Sequence, residues 1–289
     1  MKNQIQIEKG KKYLVTGGSG FLGEKLIERI INSRGEVVTI ARDEGKLIEL
    51  YQKYPQVKFF TGDISDRFDV QQCMKGVDGV FHLAAFKHVG IAEIQSRECI
   101  KSNVIGSLNL LEVGVEQNVD FVFGVSTDKA AVVSGAYGAT KFLMEYLFQQ
   151  FEKNYEDINF RIVRYGNVLY STGSVLCKWK DLLQQGKEVI VTEPKATRFF
   201  WTIDQAVDLI FECMENATDS KPYVPNMKSM SIENLLKAMA EKYLPEGVEL
   251  KVKEIGLQPG ENLHEKILSD GLSSADAERF TIEEIKEMI

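Results

Sequence analysis

The sequence predicts an α/β protein: a doubly wound parallel sheet with a smaller C-terminal lobe, and a substrate cleft between the two. Three observations carry this. Short apolar strands alternate with helical segments from residue 12 to residue 164. The first strand runs into a glycine turn, Gly17-Gly18-Ser19-Gly20-Phe21-Leu22-Gly23, that opens a helix. A later strand ends in Ser126-Thr127-Asp128-Lys129-Ala130, a run of proton-transfer groups at the carboxyl edge, where open α/β sheets bind ligands.

Taken in order, residues 12–16 (KYLVT) form a short apolar strand, and an amphipathic helix follows the glycine turn to about residue 32. Residues 36–41 (EVVTIA) are the second strand. Asp43 is placed to cap the helix that follows it, which ends before Pro55. Residues 57–61 make the third strand, 66–75 a helix, and 78–83 (DGVFHL) the fourth strand. One long helical region is expected over 91–117. The fifth strand, 119–126 (VDFVFGVS), reads as buried. A helix then runs from Ala136 to about residue 155, and 158–164 (INFRIVR) is the sixth strand. Beyond Tyr165 the alternation loosens. A helix is expected over 174–185, an extended piece over 198–202, and a helix over 203–215. Ser231 caps a helix reading IENLLKAMAEKY. The tail holds a polar loop, QPGENLHE, and two short acidic helices. Residues 1–166, with about 199–226, are expected to form the dinucleotide-binding domain, and 167–198 with 227–289 the substrate-binding lobe.

At 289 residues and 44% hydrophobic content, the chain suits one large domain, or one with a small satellite. A net charge of -7 and a pI near 5.3 argue against a nucleic-acid or acidic-membrane surface. No apolar run approaches the roughly 18 residues of a membrane span. The N-terminus shows no signal-peptide apolar region, so a cytoplasmic protein is expected. Cys73, Cys99, Cys177 and Cys213 are scattered and read as reduced thiols. His82, His88 and His264 lack metal-ligand spacing, so no metal is expected.

The glycine turn predicts a dinucleotide. Gly17, Gly20 and Gly23, with Ser19 and Phe21 between them, let backbone approach a pyrophosphate at the helix N-terminus. Where the second strand ends, Arg42 offers a guanidinium suited to a 2'-phosphate, which favours NADP. The neighbouring Asp43 keeps NAD as the alternative, through the ribose.

Tyr137 and Lys141 are one helical turn apart on one face. A phenol beside an ammonium deprotonates more readily, which makes Tyr137 a candidate general base. Alone, such a pair would be an ordinary surface pair, and Asp128-Lys129 a solvated turn. The glycine turn upstream gives both a chemical reading.

The GxxGxxG spacing with Tyr137 and Lys141 resembles the short-chain dehydrogenase/reductase superfamily and its Rossmann fold. A closer resemblance covers nearly the whole chain. It rests on Ala84-Ala85-Phe86-Lys87-His88-Val89, the run from Glu98 to Gly106, Ser126 to Ala130, Tyr137 to Lys141, and Arg164 to Leu169. Thr197-Arg198-Phe199, Met227-Lys228-Ser229 and Pro259 to Glu265 extend it more patchily. These look like the inverting UDP-N-acetylglucosamine 4,6-dehydratases, in their soluble form. The resemblance implies that Tyr137 takes the proton of the sugar's 4-hydroxyl and that Lys141 holds the phenolate and the nicotinamide ribose. It implies Lys129 as the base at carbon 5, Asp128 as the acid at the carbon 6 hydroxyl, and Thr127 as a hydrogen-bond donor to the 4-oxygen. Asp63 and Ile64 resemble an adenine contact, the aspartate having a helix cap as its other reading. Ala84, Ala85 and Lys87 would border the cofactor, and Lys87 also the sugar. Asn167, Arg198, Lys228 and Glu261 resemble positions around the nucleotide diphosphate. Glu93 and Asn103 are expected to be structural.

The chain departs from that pattern at Val133 and Gly135, where the family has Pro and Asn, and at Ala196, where it has Met. Its C-terminus is also shorter. These departures keep other outcomes in view: a UDP-sugar 5,6-dehydratase, a 4-epimerase, or a cofactor-binding regulatory protein without catalysis. By analogy with the superfamily, 91–117 and the helix after Tyr137 are expected to form an interface in a homo-oligomer.

Overall fold

The computed structural model describes residues 5–289. The chain opens with β1 (Lys12–Thr16), α1 (Phe21–Asn32), β2 (Glu36–Ala41), α2 (Glu44–Lys53), β3 (Lys58–Thr61), α3 (Arg67–Cys73) and β4 (Gly79–His82). There follow α4 (Val89–Ile94), α5 (Ser96–Ile100), a π-helical turn (Lys101–Ile105) and α6 (Gly106–Glu116). Next come β5 (Phe121–Thr127), a 3₁₀ turn (Asp128–Ala130), α7 (Ala136–Asn154), β6 (Asn159–Tyr165) and β7 (Asn167–Val168). The remainder is α8 (Val175–Gln184), β8 (Val189–Val191), β9 (Thr197–Trp201), α9 (Ile203–Asn216), β10 (Pro222–Tyr223), β11 (Ser229–Ser231), α10 (Ile232–Tyr243), β12 (Val252–Glu254) and α11 (Ile282–Met288).

The main sheet has seven strands in the order β10-β6-β5-β4-β1-β2-β3, and every pairing in it is parallel. From β1 the chain winds outward through β2 to β3, then crosses back to β4 and winds the other way. The crevice at the carboxyl ends of β1 and β4 is therefore the topological switch point.

Successive strand residues face opposite sides, and each side has its own core. Val15, Phe81 and Phe123 pack with Leu26, Ile27 and Ile30 of α1 and with Ala206, Val207 and Ile210 of α9. Leu14, Val80 and Val122 pack with Leu110 and Leu111 of α6 and with Met144 and Phe148 of α7. A third core, around Leu176, Trp179, Leu183, Met230, Leu235 and Met239, lies in the C-terminal lobe. The chain does not stay in that lobe. A capping box at Thr202 and Gln205 starts α9, and β10 then joins the edge of the main sheet beside β6.

Two expectations are corrected. The helical region 91–117 is interrupted: Gln95 has non-helical dihedrals between α4 and α5, and the π turn follows. That turn places Asn103, whose Oδ1 accepts from Phe86 N at 2.7 Å and whose Nδ2 donates to Phe86 O at 2.9 Å. π turns of this kind often accompany functional sites. Of the two acidic tail helices, only α11 forms among the described residues. Before it, Ser273 Oγ accepts from Ala275 N at 3.2 Å and Ser274 Oγ accepts from Glu265 N at 2.8 Å. Such side chains draw the backbone away from helix. No helix among the described residues is long and apolar enough to cross a membrane.

Candidate active site

A cleft of about 780 Å³ follows the carboxyl edge of the sheet and is closed on its far side by the C-terminal lobe. Its first wall is the glycine turn. Gly17 sits in the left-handed region at φ +69, and a Cβ there would lie 3.0 Å from the Ala84 backbone. At Gly23 a Cβ would collide with the Gly17 carbonyl. No side chain caps the N-terminus of α1, where Gly20 is the N-cap. The turn is tied down by Thr39, whose hydroxyl accepts from Gly18 N at 3.1 Å and donates to Val15 O at 2.7 Å. A cradle that side chains would fill, at an uncapped helix start, fits a dinucleotide pyrophosphate.

Further along, Arg42, Asp43, Lys46, Asp63 and Ile64 line the cleft together. Asp43 caps α2, as its position predicts, by accepting from Lys46 N at 3.1 Å. Asp63 accepts from the backbone and hydroxyl of Ser65. Burial acts to raise the Asp63 carboxyl, but Ser65, Lys101 and Arg42 outweigh it and hold it below its usual range.

Ala84 packs against the glycine turn and is held by a buried relay, and Ala85 lines the cleft beside it. Thr16 Oγ1 accepts from Leu83 N and Ala84 N, each at 3.1 Å. Its own proton is then directed at His82 Nδ1, 3.0 Å away. His82 Nε2 meets Ser107 Oγ at 2.8 Å, and Ser107 donates to Asn103 O at 2.7 Å. Only a neutral imidazole with its proton on Nε2 satisfies this chain. Burial, helped by the Lys141 charge, pushes His82 down to about 3.

The second wall is built where β5 meets α7. Gly138 lies against the Asp128–Ala130 turn, where a Cβ would strike the Lys129 carbonyl. Glu93 Oε1 accepts from Ala136 N at 2.6 Å and so caps α7. Its Oε1 lies where a side chain at Gly135 would begin. Asp128 is buried, and its Oδ1 accepts from Thr127 Oγ1 and from Lys129 Nζ, both at 2.9 Å. Its Oδ2 has no hydrogen-bond partner. Lys129 Nζ also lies 3.6 Å from Glu265 Oε1, and Arg198 Nε lies 3.8 Å from that same oxygen.

Two electrostatic expectations change here. Burial pushes the Tyr137 phenol up to about 12, with Lys129 and the Thr127 hydroxyl acting against it. Lys141 does not supply the expected depression, because its Nζ is taken by Val125 O at 2.8 Å, and burial lowers it to about 8. Lys129 is not neutral at rest. Burial opposes its charge, but Asp128 and Glu265 outweigh burial and raise it.

The cleft brings together Thr127, Lys129, Tyr137 and Lys141 with Gly17, Ser19, Gly20, Phe21, Gly23, Ala84, Ala85, Lys87, Asn167, Arg198 and Glu261. Asp128 lies just behind the wall, on Lys129. Lys87 Nζ donates to Thr172 O at 3.1 Å, and Arg198 Nη1 to Thr197 O and Leu263 O at 2.9 and 3.0 Å. Lys228 is not brought to the cleft. Its amine pairs with Glu278 at 2.7 Å and Glu284 at 2.9 Å on the lobe surface. Sequence reasoning passed over Lys46, which its place in the first turn of α2, just past Arg42, would have flagged. It also passed over Glu265, whose burial no local pattern reveals.

Fold and site together define a nucleotide-sugar enzyme scaffold of the short-chain dehydrogenase/reductase superfamily. The chain belongs to the polysaccharide biosynthesis protein family, whose pattern matches residues 13–286. It is 34% identical to a UDP-N-acetylglucosamine 4,6-dehydratase (inverting) of Campylobacter jejuni, over 90% of this chain and 78% of that protein. It is equally 34% identical to a UDP-glucose 4-epimerase of Rickettsia akari, over 92% and 80%. Among solved structures it is similar to Pen from Bacillus thuringiensis, at 27% identity and a TM-score of 0.92 over 98% of each chain.

Proposed function

We propose that the protein is an NADP-dependent UDP-N-acetylglucosamine 4,6-dehydratase that inverts carbon 5. Its product would be UDP-2-acetamido-2,6-dideoxy-β-L-arabino-hexos-4-ulose, for glycan biosynthesis. One observation carries the reading: the Lys129 amine stands on the cleft wall with Tyr137, and the buried Asp128 carboxyl is paired to that amine directly behind the wall. Epimerisation at carbon 4 gives that pair no work, whereas dehydration across carbons 5 and 6 needs both a base and an acid.

Bound along the glycine turn, NADP would supply a nicotinamide that takes hydride from carbon 4 and later returns it to carbon 6. Arg42 and Lys46 favour the 2'-phosphate, since Asp43 is engaged as a cap. Tyr137, as phenolate, takes the proton of the 4-hydroxyl, and the Lys129 charge eases the cost of that buried anion. The resulting 4-keto group acidifies the proton on carbon 5. Lys129 then passes a proton from Nζ to Asp128 Oδ1, 2.9 Å away, which creates the amine and the acid in one step. The amine removes the carbon 5 proton, and Asp128 protonates the departing 6-hydroxyl, which leaves as water. Both groups end as they began, ammonium and carboxylate. A solvent proton delivered to carbon 5 from the opposite face gives inversion, and Tyr137 returns the 4-hydroxyl proton to solvent, which closes the balance. Arg198 suits the diphosphate, Lys87 the sugar or its N-acetyl group, and Asn167 and Glu261 the rest of the cleft. The protein would act in the cytoplasm as a homo-oligomer, with exposed Ile94, Phe142, Leu143 and Tyr146 offering an apolar face.

The test is incubation with UDP-N-acetylglucosamine and NADP in deuterated solvent. Loss of water by mass and deuterium at carbon 5 are expected. Lys129→Ala should abolish the exchange and spare NADP binding; unchanged exchange would reassign the base. A product of unaltered mass with the 4-hydroxyl inverted would establish the epimerase reading instead, which the Rickettsia akari relative favours.

A further inference from the structure

Glu265 is a buried carboxylate with no part in the scheme above. It is 2% exposed, and its Oε1 has no hydrogen-bond partner. Burying a charge without compensation is costly, so cations must lie close by. Two do: Lys129 Nζ at 3.6 Å and Arg198 Nε at 3.8 Å. The backbone of Glu265 is locked in place. Its N–H donates to Ser274 Oγ at 2.8 Å, and its carbonyl accepts from Ser274 N at 2.7 Å. The other carboxyl oxygen accepts from Asn262 Nδ2 at 3.3 Å. A rigidly mounted acid thus reaches from the C-terminal lobe to an amine borne on the main sheet.

We propose that Glu265 is a positioning residue: from the C-terminal lobe it holds the Lys129 amine at the cleft wall and sets how readily that amine surrenders its proton to Asp128. Lys129 is faced by Asp128 on its own turn, by Glu265 and Arg198 from the lobe, and by Tyr137 from α7. Two carboxylates share one ammonium, with one guanidinium opposing it. While Glu265 is charged, the ammonium is favoured and transfer to Asp128 runs uphill. When Glu265 carries a proton, that bias is gone and the amine is released for base work. Burial works in this direction, pushing the Glu265 carboxyl upward against the pull of Lys129 and Arg198. The role belongs to the dehydratase reading, but the property it controls is measurable without turnover.

The measurement is competitive labelling of the NADP-loaded protein with trace acetic anhydride across pH. Mass spectrometry of the Lys129 peptide reads the pH at which that amine loses its proton. Glu265→Gln should lower this midpoint by on the order of one pH unit, the effect of removing an opposite charge at this range. Glu265→Asp, which keeps the charge, should recover part of the shift. An unchanged midpoint in a Glu265→Gln protein that melts like the parent overturns the proposal. Should that variant fail to fold, Asn262→Ala decides. Stripping Glu265 of its amide donor should move the midpoint the same way, and no movement again overturns the idea. In the carbon 5 exchange assay, Glu265→Gln should shift the kcat profile to lower pH with KM little changed. A parent that exchanges nothing at carbon 5 would remove the dehydratase reading, while the labelling midpoint would still judge Glu265.

Discussion

Gly138 shows how much of the site depends on one absent side chain. It lets α7 settle on the Asp128–Ala130 turn, and a methyl group there meets the Lys129 carbonyl, which is backbone and cannot swing away. Gly138→Ala should therefore displace Lys129 relative to Tyr137. A shift near 1 Å costs roughly a hundredfold in turnover, whereas dinucleotide affinity, anchored at the glycine turn, should stay within about threefold by fluorescence titration. Turnover equal to the parent's would show that α7 yields instead. At this scale the sequence was legible where the information is local. Tyr137 and Lys141 share a face because helical spacing dictates it, and Thr127 and Lys129 reach the cleft because they end a buried strand. Partnerships were not legible. That Lys141 turns to Val125 O, that Lys129 bears on Tyr137, and that Glu265 backs Lys129 all depend on residues distant in sequence.

Between elements, a buried ion pair ties strand to helix. Arg164 of β6 grips Glu145 of α7 through Nε at 2.7 Å and Nη2 at 2.6 Å, and its Nη1 donates to Ile267 O at 2.8 Å. Ser126 of β5 donates to the same glutamate at 2.5 Å. Two strands and a helix thus meet at one carboxylate, and the lobe joins them through the Arg164 guanidinium. Glu145→Ala strands the Arg164 charge and should cost about 3–5 kcal/mol in urea unfolding. The double variant Glu145→Leu/Arg164→Met should regain most of that loss, since a buried pair replaced whole by apolar groups is often neutral. If the double variant is no more stable than the single one, the lost stability comes from packing, not charge. Element identity was readable through β6, because hydrophobic period and capping agree there. It failed over 91–117 because the break at Gln95 and the π turn carry no Gly or Pro mark. It failed again in the tail, where the Ser273 and Ser274 hydroxyls accept from the backbone N–H groups of Ala275 and Glu265.

For the molecule as a whole, His82 writes an acid limit into stability. Its folded value of about 3 lies below the 6.5 of the unfolded chain. Between those values the unfolded chain binds a proton that the folded chain refuses. Stability is therefore full above 6.5 and falls as pH drops toward 3. At pH 5 the loss is about 2 kcal/mol, from 1.36 kcal/mol per unit. His82→Gln, which keeps a donor and an acceptor but cannot titrate, should lose correspondingly less between pH 7 and pH 5 in urea unfolding. Parallel losses in both proteins would place the acid sensitivity elsewhere. The path of the chain has its own consequence at this scale. After β6 it leaves the large sheet, builds β7 to β9, comes back as α9 and β10, and departs again. Neither layer is a contiguous cassette. A chimera joined at one crossover would leave α9 and β10 against a foreign neighbour, so recombining this cap with another nucleotide half calls for several matched junctions.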